Sequence, residues 1–367
     1  MKDIRVLHIG LSDNVGGIET VVHSWLKYKP EWLHFDFVQI GEKRIAFEND
    51  FMDSGSKIYK ITPRSINVLK SNTDLKRIIN SNEYDYVHHH MMSYSWPETV
   101  LVTNKYSNSK MILHAHTVIS NQFSIKTKIL HMIGKIRLLK QPFLEIACSE
   151  EAGKAMFHED GFKVVRNGID FSERRFDKSE RDIVRINLGY NESDIVIGHV
   201  GRSSFEKNYP HLLESFKILN RRNKNTKLLL IGDIIEDDDI QRLIDNLGIR
   251  DATICTGKVE NTVPYYSAMD LFFLPSIIEG VSVSLLEAQA SGLPCVISEN
   301  VSKEAVISGL CQFTKIDDPT KTADFIISAL KNSRKNRSAI EFDTKYDLKI
   351  TSKELFEFYQ YNLKRKK

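Results

Sequence analysis

Ten short runs rich in Ile, Val, Leu and Phe punctuate the chain in two groups of five, and longer stretches separate each run from the next. The first group is Ile4 to Ile9, Phe35 to Ile40, Tyr84 to His88, Met111 to His114 and Leu144 to Ala147. The second is Ile195 to Val200, Lys227 to Ile231, Thr253 to Thr256, Leu271 to Leu274 and Pro294 to Ile297. Runs apolar at successive positions suit parallel strands buried on both faces, because a strand with one wet face alternates instead. The expected class is therefore α/β, with two doubly wound parallel sheets, and 367 residues exceed what one hydrophobic core organises.

The stretch from Phe171 to Asp194 lies between the groups. It is dense in charge and poor in apolar runs, so it is the expected interdomain segment. That places a first domain at 1–175 and a second at 176–342, with a ligand cleft expected between them. Residues 343–367 carry Leu355, Phe356, Phe358, Tyr359 and Leu363 at helical spacing, and are expected to form a terminal helix returning to the first domain.

Composition narrows the function classes. The net charge of +3 is too small to imply nucleic-acid binding, and no aromatic-plus-basic signature accompanies it. Cys148, Cys255, Cys295 and Cys311 lack metal-ligand spacing, which points to reduced thiols. The opening MKDIRVLHIG reads as a first strand rather than a secretory signal, and no run of 18 apolar residues offers a membrane span. A cytoplasmic protein is expected, with any membrane contact peripheral.

Several motifs can carry chemistry. Gly16 and Gly17 follow the first strand and open a helix; they suit close approach to a diphosphate, or serve as turn glycines only. Arg202 and Lys207 follow the first strand of the second group, where open α/β sheets bind ligands. They can clamp a diphosphate or simply form a solvated basic loop. In LPSIIEGVSVSLLEAQASGLP, Glu279 and Glu287 stand eight positions apart around a helix start. The helix N-terminus near Val281 to Ser284 would aim N–H groups at a sugar or phosphate. The plainer readings are a capping carboxylate for Glu279 and an exposed helical one for Glu287.

Histidines gather at His88, His89 and His90 and at His114 and His116. Without a carboxylate at ligand spacing, and with strand ends expected to point them apart, they read as packed or hydrogen-bonded side chains. Asp237 to Asp239 precede an amphipathic run and read as a helix start. No metal and no other cofactor is expected. The segment 121–144 holds five Lys or Arg and no acid among Ile, Leu, Met and Phe. It suits either an anionic membrane surface or a helix laying its apolar face on the core.

Taken together these motifs resemble glycosyltransferase family 4, the retaining GT-B type, and among its members the bacterial capsular and exopolysaccharide group. The resemblance runs through GGIET (16–20), ILHAHT (112–117), ACSEEA (147–152), RNGID (166–170), GHVGRSSFEKN (198–208), LLLIGD (228–233) and EGVSVSLLEAQASGLPCVIS (279–298). It implies two Rossmann-like domains facing a central cleft, and a nucleotide-sugar donor held mainly by the second. By this resemblance Arg202 and Lys207 clamp the diphosphate and Glu287 meets the ribose. Glu279 meets the donor sugar, and backbone N–H groups of Gly280, Val281, Ser282 and Val283 meet sugar and phosphate. Gly16 and Gly17 approach the β-phosphate, His116 is the cleft histidine, and backbone around Gly257 to Val259 reads the base. A UDP-sugar donor and a lipid-linked glycan acceptor are the implied substrates. Ser282 and Ser284 stand where many members have glycine and proline, which leaves the donor sugar open. Two rivals remain: an epimerase of the same architecture, and a catalytically silent sugar-nucleotide binder.

Overall fold

The computed structural model describes residues 2–95, 97–116, 124–138, 141–157, 160–331, 337 and 340–364. The chain divides into two compact units, Met1–Gly168 with Lys345–Lys367, and Ile169–Thr344.

The first unit is built on β1 (Ile4–Ile9), β2 (Leu33–Ile40), β3 (Ile58–Ile61), β4 (Tyr86–Met91), β5 (Lys110–Ala115), β6 (Leu144–Ala147) and β7 (Lys163–Val164). They form one sheet in the order β3-β2-β1-β4-β5-β6-β7, with every pairing parallel. Chain order reverses beside β1, giving the doubly wound topology that gathers loops at the carboxyl ends of β1 and β4. β3 and β7 escaped the sequence reading: Ile58–Ile61 is a four-residue edge strand and Lys163–Val164 spans two residues. The helix Leu348–Lys364 belongs to this unit, where Tyr86 Oη donates 2.6 Å to the Tyr359 carbonyl.

The second unit carries β8 (Ile195–Val200), β9 (Thr226–Ile231), β10 (Thr253–Cys255), β11 (Leu271–Leu274), β12 (Cys295–Ser298) and β13 (Cys311–Thr314). Their order is β10-β9-β8-β11-β12-β13, again parallel throughout. Hydrophobic clusters fill both faces of this sheet. One gathers Leu212, Phe216, Leu228 and Phe273, the other Leu229, Phe272, Leu274 and Leu285. This two-sided burial is why the strands read as continuous apolar runs.

The segment from Phe171 to Asp194 is not a linker but part of the second unit, and its residues Lys178–Asn187 are helical. Its charge density has a structural cause. Arg181 donates to the carbonyls of Ser267, Ala268 and Met269 and pairs with Asp270, while Arg185 binds Ala268, Asn191 and Asp194 carbonyls and the same aspartate. Arg337 adds bonds to the carbonyls of Tyr266, Ser267, Met269 and Ser291. These guanidinium groups satisfy carbonyls left open where the helix Val263–Ala268 ends. None of the four cysteines is in a disulfide. No helix among the described residues is long and apolar enough to cross a membrane.

Candidate active site

The second unit assembles two carboxylate–cation pairs from motifs far apart in sequence. Beyond β8, a turn of 3-10 helix at Phe205–Lys207 carries the lysine, and Asn208 closes the turn in the left-handed conformation at φ 56°. Asn208 then donates to the Pro275 carbonyl at 3.2 Å and Ile277 N–H to the Glu206 carbonyl at 2.8 Å, tying this loop to the one after β11. Lys207 Nζ consequently lies 2.6 Å from Glu279 Oε2, which also accepts from Ser276 Oγ at 3.2 Å. Gly232 permits the tight approach of the neighbouring β9 loop, since a Cβ there would meet the Gly201 carbonyl oxygen at 1.9 Å and its φ is +140°.

Glu279 is therefore an ion-pair partner, not a helix cap. The helix Val283–Ala290 has Ser282 as its N-cap residue, and the Ser282 side chain makes no capping bond to it. Ser282 Oγ instead pairs with Ser284 Oγ at 3.0 Å. Gly280, Val281 and Val283 flank this uncapped start and are partly exposed, while Ser282 is buried. A helix start without a side-chain cap offers its amides and positive dipole end to an anion.

Glu287 departs from the reading of an exposed helical glutamate, because it is only 6% exposed. Its carboxylate meets Arg174 at 3.2 Å and Thr262 Oγ1 at 3.3 Å. Arg174 was missed in the sequence because it lies in the segment taken for a linker. The one available signal was the unusual arginine content of that stretch. Arg202 is exposed and makes no ion pair among the described residues. The Gly257 carbonyl is already taken, accepting from Gly232 N–H at 3.0 Å and from Thr256 Oγ1 at 2.9 Å, and Val259 packs against the core.

In the first unit Gly16 is the N-cap of the helix Gly17–Ser24, and a Cβ on it would press Glu19 Oε2 at 2.8 Å. Gly17 has open space around its Cα, so no packing demands glycine there. Glu19, another residue the sequence did not single out, turns back to accept from both Ser12 N–H and Ser12 Oγ at 2.8 Å. It thereby fixes the loop after β1.

The histidines are brought together rather than pointed apart. β1 and β4 place His8 opposite His88, and β4 and β5 place His90 opposite His114, so that strand alternation puts His8, His88, His90, His114 and His116 on one sheet face. His90 bonds His8 at 3.0 Å and His116 at 2.9 Å, and His88 bonds His114 at 3.1 Å and Tyr359 Oη at 2.7 Å. His89 faces the other way and meets Thr103 Oγ1 at 2.9 Å. Burial pushes His8, His89 and His116 down to about 3 and His88, His90 and His114 well below the usual histidine range.

Ring nitrogens of His90, His114 and His116 lie within 4.8 Å of one another, as do those of His8, His88 and His90. However, His114 and His116 overlap at 4.0 Å between ring centroids and 33° between planes, and His88 and His90 stack at 4.5 Å and 14°. Stacked imidazoles send their in-plane lone pairs past each other, whereas a tetrahedral ion needs them to converge. Asp237 likewise spends its carboxylate on helix capping, accepting from the N–H groups of Asp239 and Ile240.

Basic segment 121–144 is described over 124–138 and 141–144; residues 121–123 and 139–140 lie outside the described residues. Its helix Ile125–Leu138 does not lay its apolar face on the core. Ile125, Ile129, Met132, Ile133 and Ile136, spaced along one face, are each at least half exposed. The helix docks instead through His131, Gly134 and Leu138. His131 Nδ1 accepts from Tyr94 N–H at 3.0 Å, and Gly134 passes so near Tyr94 that a Cβ would meet its carbonyl oxygen at 1.9 Å.

The profile of the family Glycosyl transferases group 1 matches residues 180–345. The Bacillus subtilis protein named "Putative glycosyltransferase EpsF" is 26% identical over 85% of this chain and 83% of its own. The Staphylococcus aureus capsular polysaccharide biosynthesis glycosyltransferase CapH is 22% identical over 97% and 98%. Among solved structures, Anabaena HepE in complex with UDP and glucose superposes with a TM-score of 0.81 at 17% identity, covering 97% of this chain and 99% of that one. At that identity the likeness is one of fold.

Proposed function

From a chain whose residues 180–345 are a glycosyl transferases group 1 domain, set within the two parallel-sheet units of the GT-B fold, we propose a retaining transferase that moves a sugar from a UDP-sugar to a lipid-linked glycan. The observation that carries this reading is the Lys207–Glu279 pair at 2.6 Å, which leads within a few residues into the uncapped helix at Val283. An incoming diphosphate exchanges for Glu279 as the partner of Lys207. Glu279, released, is free to accept from sugar hydroxyls.

In the reaction the bond between the anomeric carbon and the phosphate oxygen breaks, and positive character grows on the ring. The acceptor oxygen bonds the anomeric carbon from the same face, and its proton passes to the departing phosphate. Negative charge on that phosphate is met by Lys207, by the exposed Arg202 and by the N–H groups of Gly280, Val281, Ser282 and Val283, a preorganised arrangement of the kind that lowers barriers most. Glu287, held by Arg174, is assigned to the ribose, and Gly257 to Val259 line the base. Gly16 and Gly17 are assigned to phosphate and His116 to a sugar hydroxyl. The charge inventory requires no metal.

Support for UDP comes from HepE, whose structure holds UDP and glucose; support for a capsular or exopolysaccharide product comes from CapH. Support for a lipid-linked acceptor at the inner face of the cytoplasmic membrane comes from the exposed apolar stripe of the helix Ile125–Leu138. The test is nucleotide release and thermal shift with UDP-, GDP-, ADP- and dTDP-sugars in EDTA, followed by NMR of the product anomer. Release from a UDP-sugar with retained configuration is expected. An inverted product, or activity that EDTA abolishes, refutes the mechanism.

A further inference from the structure

Two cysteines face each other across the last two strands of the second sheet. β12 and β13 run parallel, and Cys295 stands in register with Cys311. Register partners on parallel strands point to the same face with their Cα atoms about 4.8 Å apart, inside the span of roughly 4.4 to 6.8 Å that a disulfide bridges. Both side chains accordingly enter one apolar cluster, Cys295 as a buried member and Cys311 as a partly buried one. The thiols act on each other. Burial first and the Cys311 thiol second push the Cys295 thiol well above its ordinary range, while the Arg337 guanidinium pulls it down. The other two cysteines are placed differently: Cys148 lies in the first unit, and Cys255, on the opposite edge strand β10, is in register with Leu230.

The two sulfurs differ in access. β13 ends the sheet and Cys311 on it is partly exposed, whereas Cys295 is 1% exposed and its Sγ donates to the Leu293 carbonyl at 3.3 Å. An oxidant therefore meets Cys311 first, and Cys295 is the adjacent thiol that resolves the product. A disulfide at a partly exposed sheet edge stays open to exchange with a soluble thiol. Backbone links run from this strand pair to the candidate site. Val301 N–H donates to the Ser298 carbonyl at the end of β12 at 3.1 Å, Val301 bridges to Glu279, and Ser302 N–H donates to the Glu279 carbonyl at 2.9 Å. Glu279 in turn is the partner of Lys207.

We propose that Cys295 and Cys311 form a redox-modification site, which an oxidant of the peroxide class closes to a cross-strand disulfide, which a soluble thiol reopens, and which in its closed form displaces the backbone behind Glu279 and lowers turnover. The effect on turnover rests on the donor reading above; the disulfide does not. In the first step the Cys311 sulfur attacks one peroxide oxygen, so that an S–O bond forms, the O–O bond breaks and the thiol proton leaves with the other oxygen as water. In the second the Cys295 sulfur attacks the Cys311 sulfur; the S–S bond forms, the S–O bond breaks, and the hydroxyl departs with the Cys295 proton as a second water. The two thiols have then lost two electrons and two protons, and the peroxide has been reduced to two waters.

The test treats the full chain with hydrogen peroxide, alkylates the remaining thiols in denaturant and maps the peptides by non-reducing mass spectrometry. A cross-linked Cys295–Cys311 peptide is expected, absent after dithiothreitol, with Cys148 and Cys255 still alkylated. Cys311 oxidised to a sulfinic acid beside a free Cys295, a different pairing, or four unmodified thiols overturns the site. Turnover of the nucleotide sugar should fall about tenfold on oxidation and return with reductant, within the range by which coupled sites ordinarily act on one another. Cys311→Ser should leave turnover of the reduced protein unchanged and abolish its response to peroxide, whereas Cys255→Ser should keep that response. A mapped disulfide with undiminished turnover, or a loss that persists in Cys311→Ser, overturns the link to Glu279. A protein that turns over no donor refutes the donor reading but leaves the peptide map decisive, and that map also decides if Cys311→Ser fails to fold.

Discussion

Polar side chains at the carboxyl ends of β1, β4 and β5 in the first unit are neutral imidazoles bonded to one another, whereas those beyond β8 and β11 in the second are ions paired across loops. The first arrangement satisfies buried nitrogens internally and tolerates no added proton. The second holds charge ready for exchange, because an ion pair gives up one partner to an incoming ion of the same sign. The first unit is therefore expected to respond more strongly to acid, and the second, on the proposed function, to anionic ligands.

Acid should produce the largest effect. His8, His88, His89, His90, His114 and His116 are all held below the ordinary histidine value by desolvation. In the folded state they stay neutral, while the unfolded chain takes up protons below about pH 6.5, so stability falls as pH drops through that value. By pH 5.5 the six together cost on the order of 5 to 10 kcal/mol, comparable with the whole stability of a domain. The second unit has fewer such groups among the described residues, His199 and His211, which burial also lowers, and its lowered carboxylates, Asp237, Asp245 and Asp318, begin to lose their contribution only near pH 4. Trp25, Trp32 and Trp96, all the tryptophans of the chain, lie within the 1–168 part of the first unit. Their emission should shift between pH 6.5 and 5, ahead of the loss of far-UV circular dichroism. Coincident transitions would mean that the imidazoles do not set the difference.

Next in size is the exchange in the second unit. Lys207→Ala should lower turnover by about 10² to 10³, the usual loss when one preorganised donor to a developing anion is removed. Glu279 and Lys207 are both partly exposed, so the same change should move thermal stability little. Activity within about threefold of wild type would place the diphosphate elsewhere.

How much of this was legible follows from what a one-dimensional pattern contains. Strands such as Ile4–Ile9 and Leu271–Leu274 were readable because two-sided burial leaves an unbroken apolar run. Cys311–Thr314 was not, since its exposed edge position admits Gln312 and breaks the run. His88, His90 and His114 were visible as residues, but their contact depends on β1, β4 and β5 being neighbours, and strand order is not written in periodicity. Lys207 and Glu279 were singled out by residue type and by place beyond a strand, yet their pairing arises from the Asn208–Pro275 bond that joins two loops. Arg174 was lost to composition alone, because charge looks the same in sequence whether it is solvated or satisfying buried carbonyls.

The smallest effect belongs to the surface of the first unit, where the contrast between neutral interior and charged exterior can be sharpened. Along the helix Ile125–Leu138, the exposed stripe of Ile125, Ile129, Met132, Ile133 and Ile136 is flanked by Lys126, Lys128, Lys135 and Arg137. Arg137 pairs with Glu98 at 3.0 Å and Lys135 donates to the Phe157 carbonyl, so Lys126 is the better probe of attraction to a surface. A basic residue beside an anionic bilayer contributes about 1 kcal/mol, so Lys126→Gln should weaken flotation with anionic vesicles by roughly fivefold. The stripe adds a contribution that salt does not screen. Ile133→Asp should therefore reduce binding at both low and high ionic strength, whereas Lys126→Gln should matter only at low. If the wild-type chain fails to float with anionic vesicles at low salt, the stripe has another partner and the membrane-facing assignment of the acceptor falls with it.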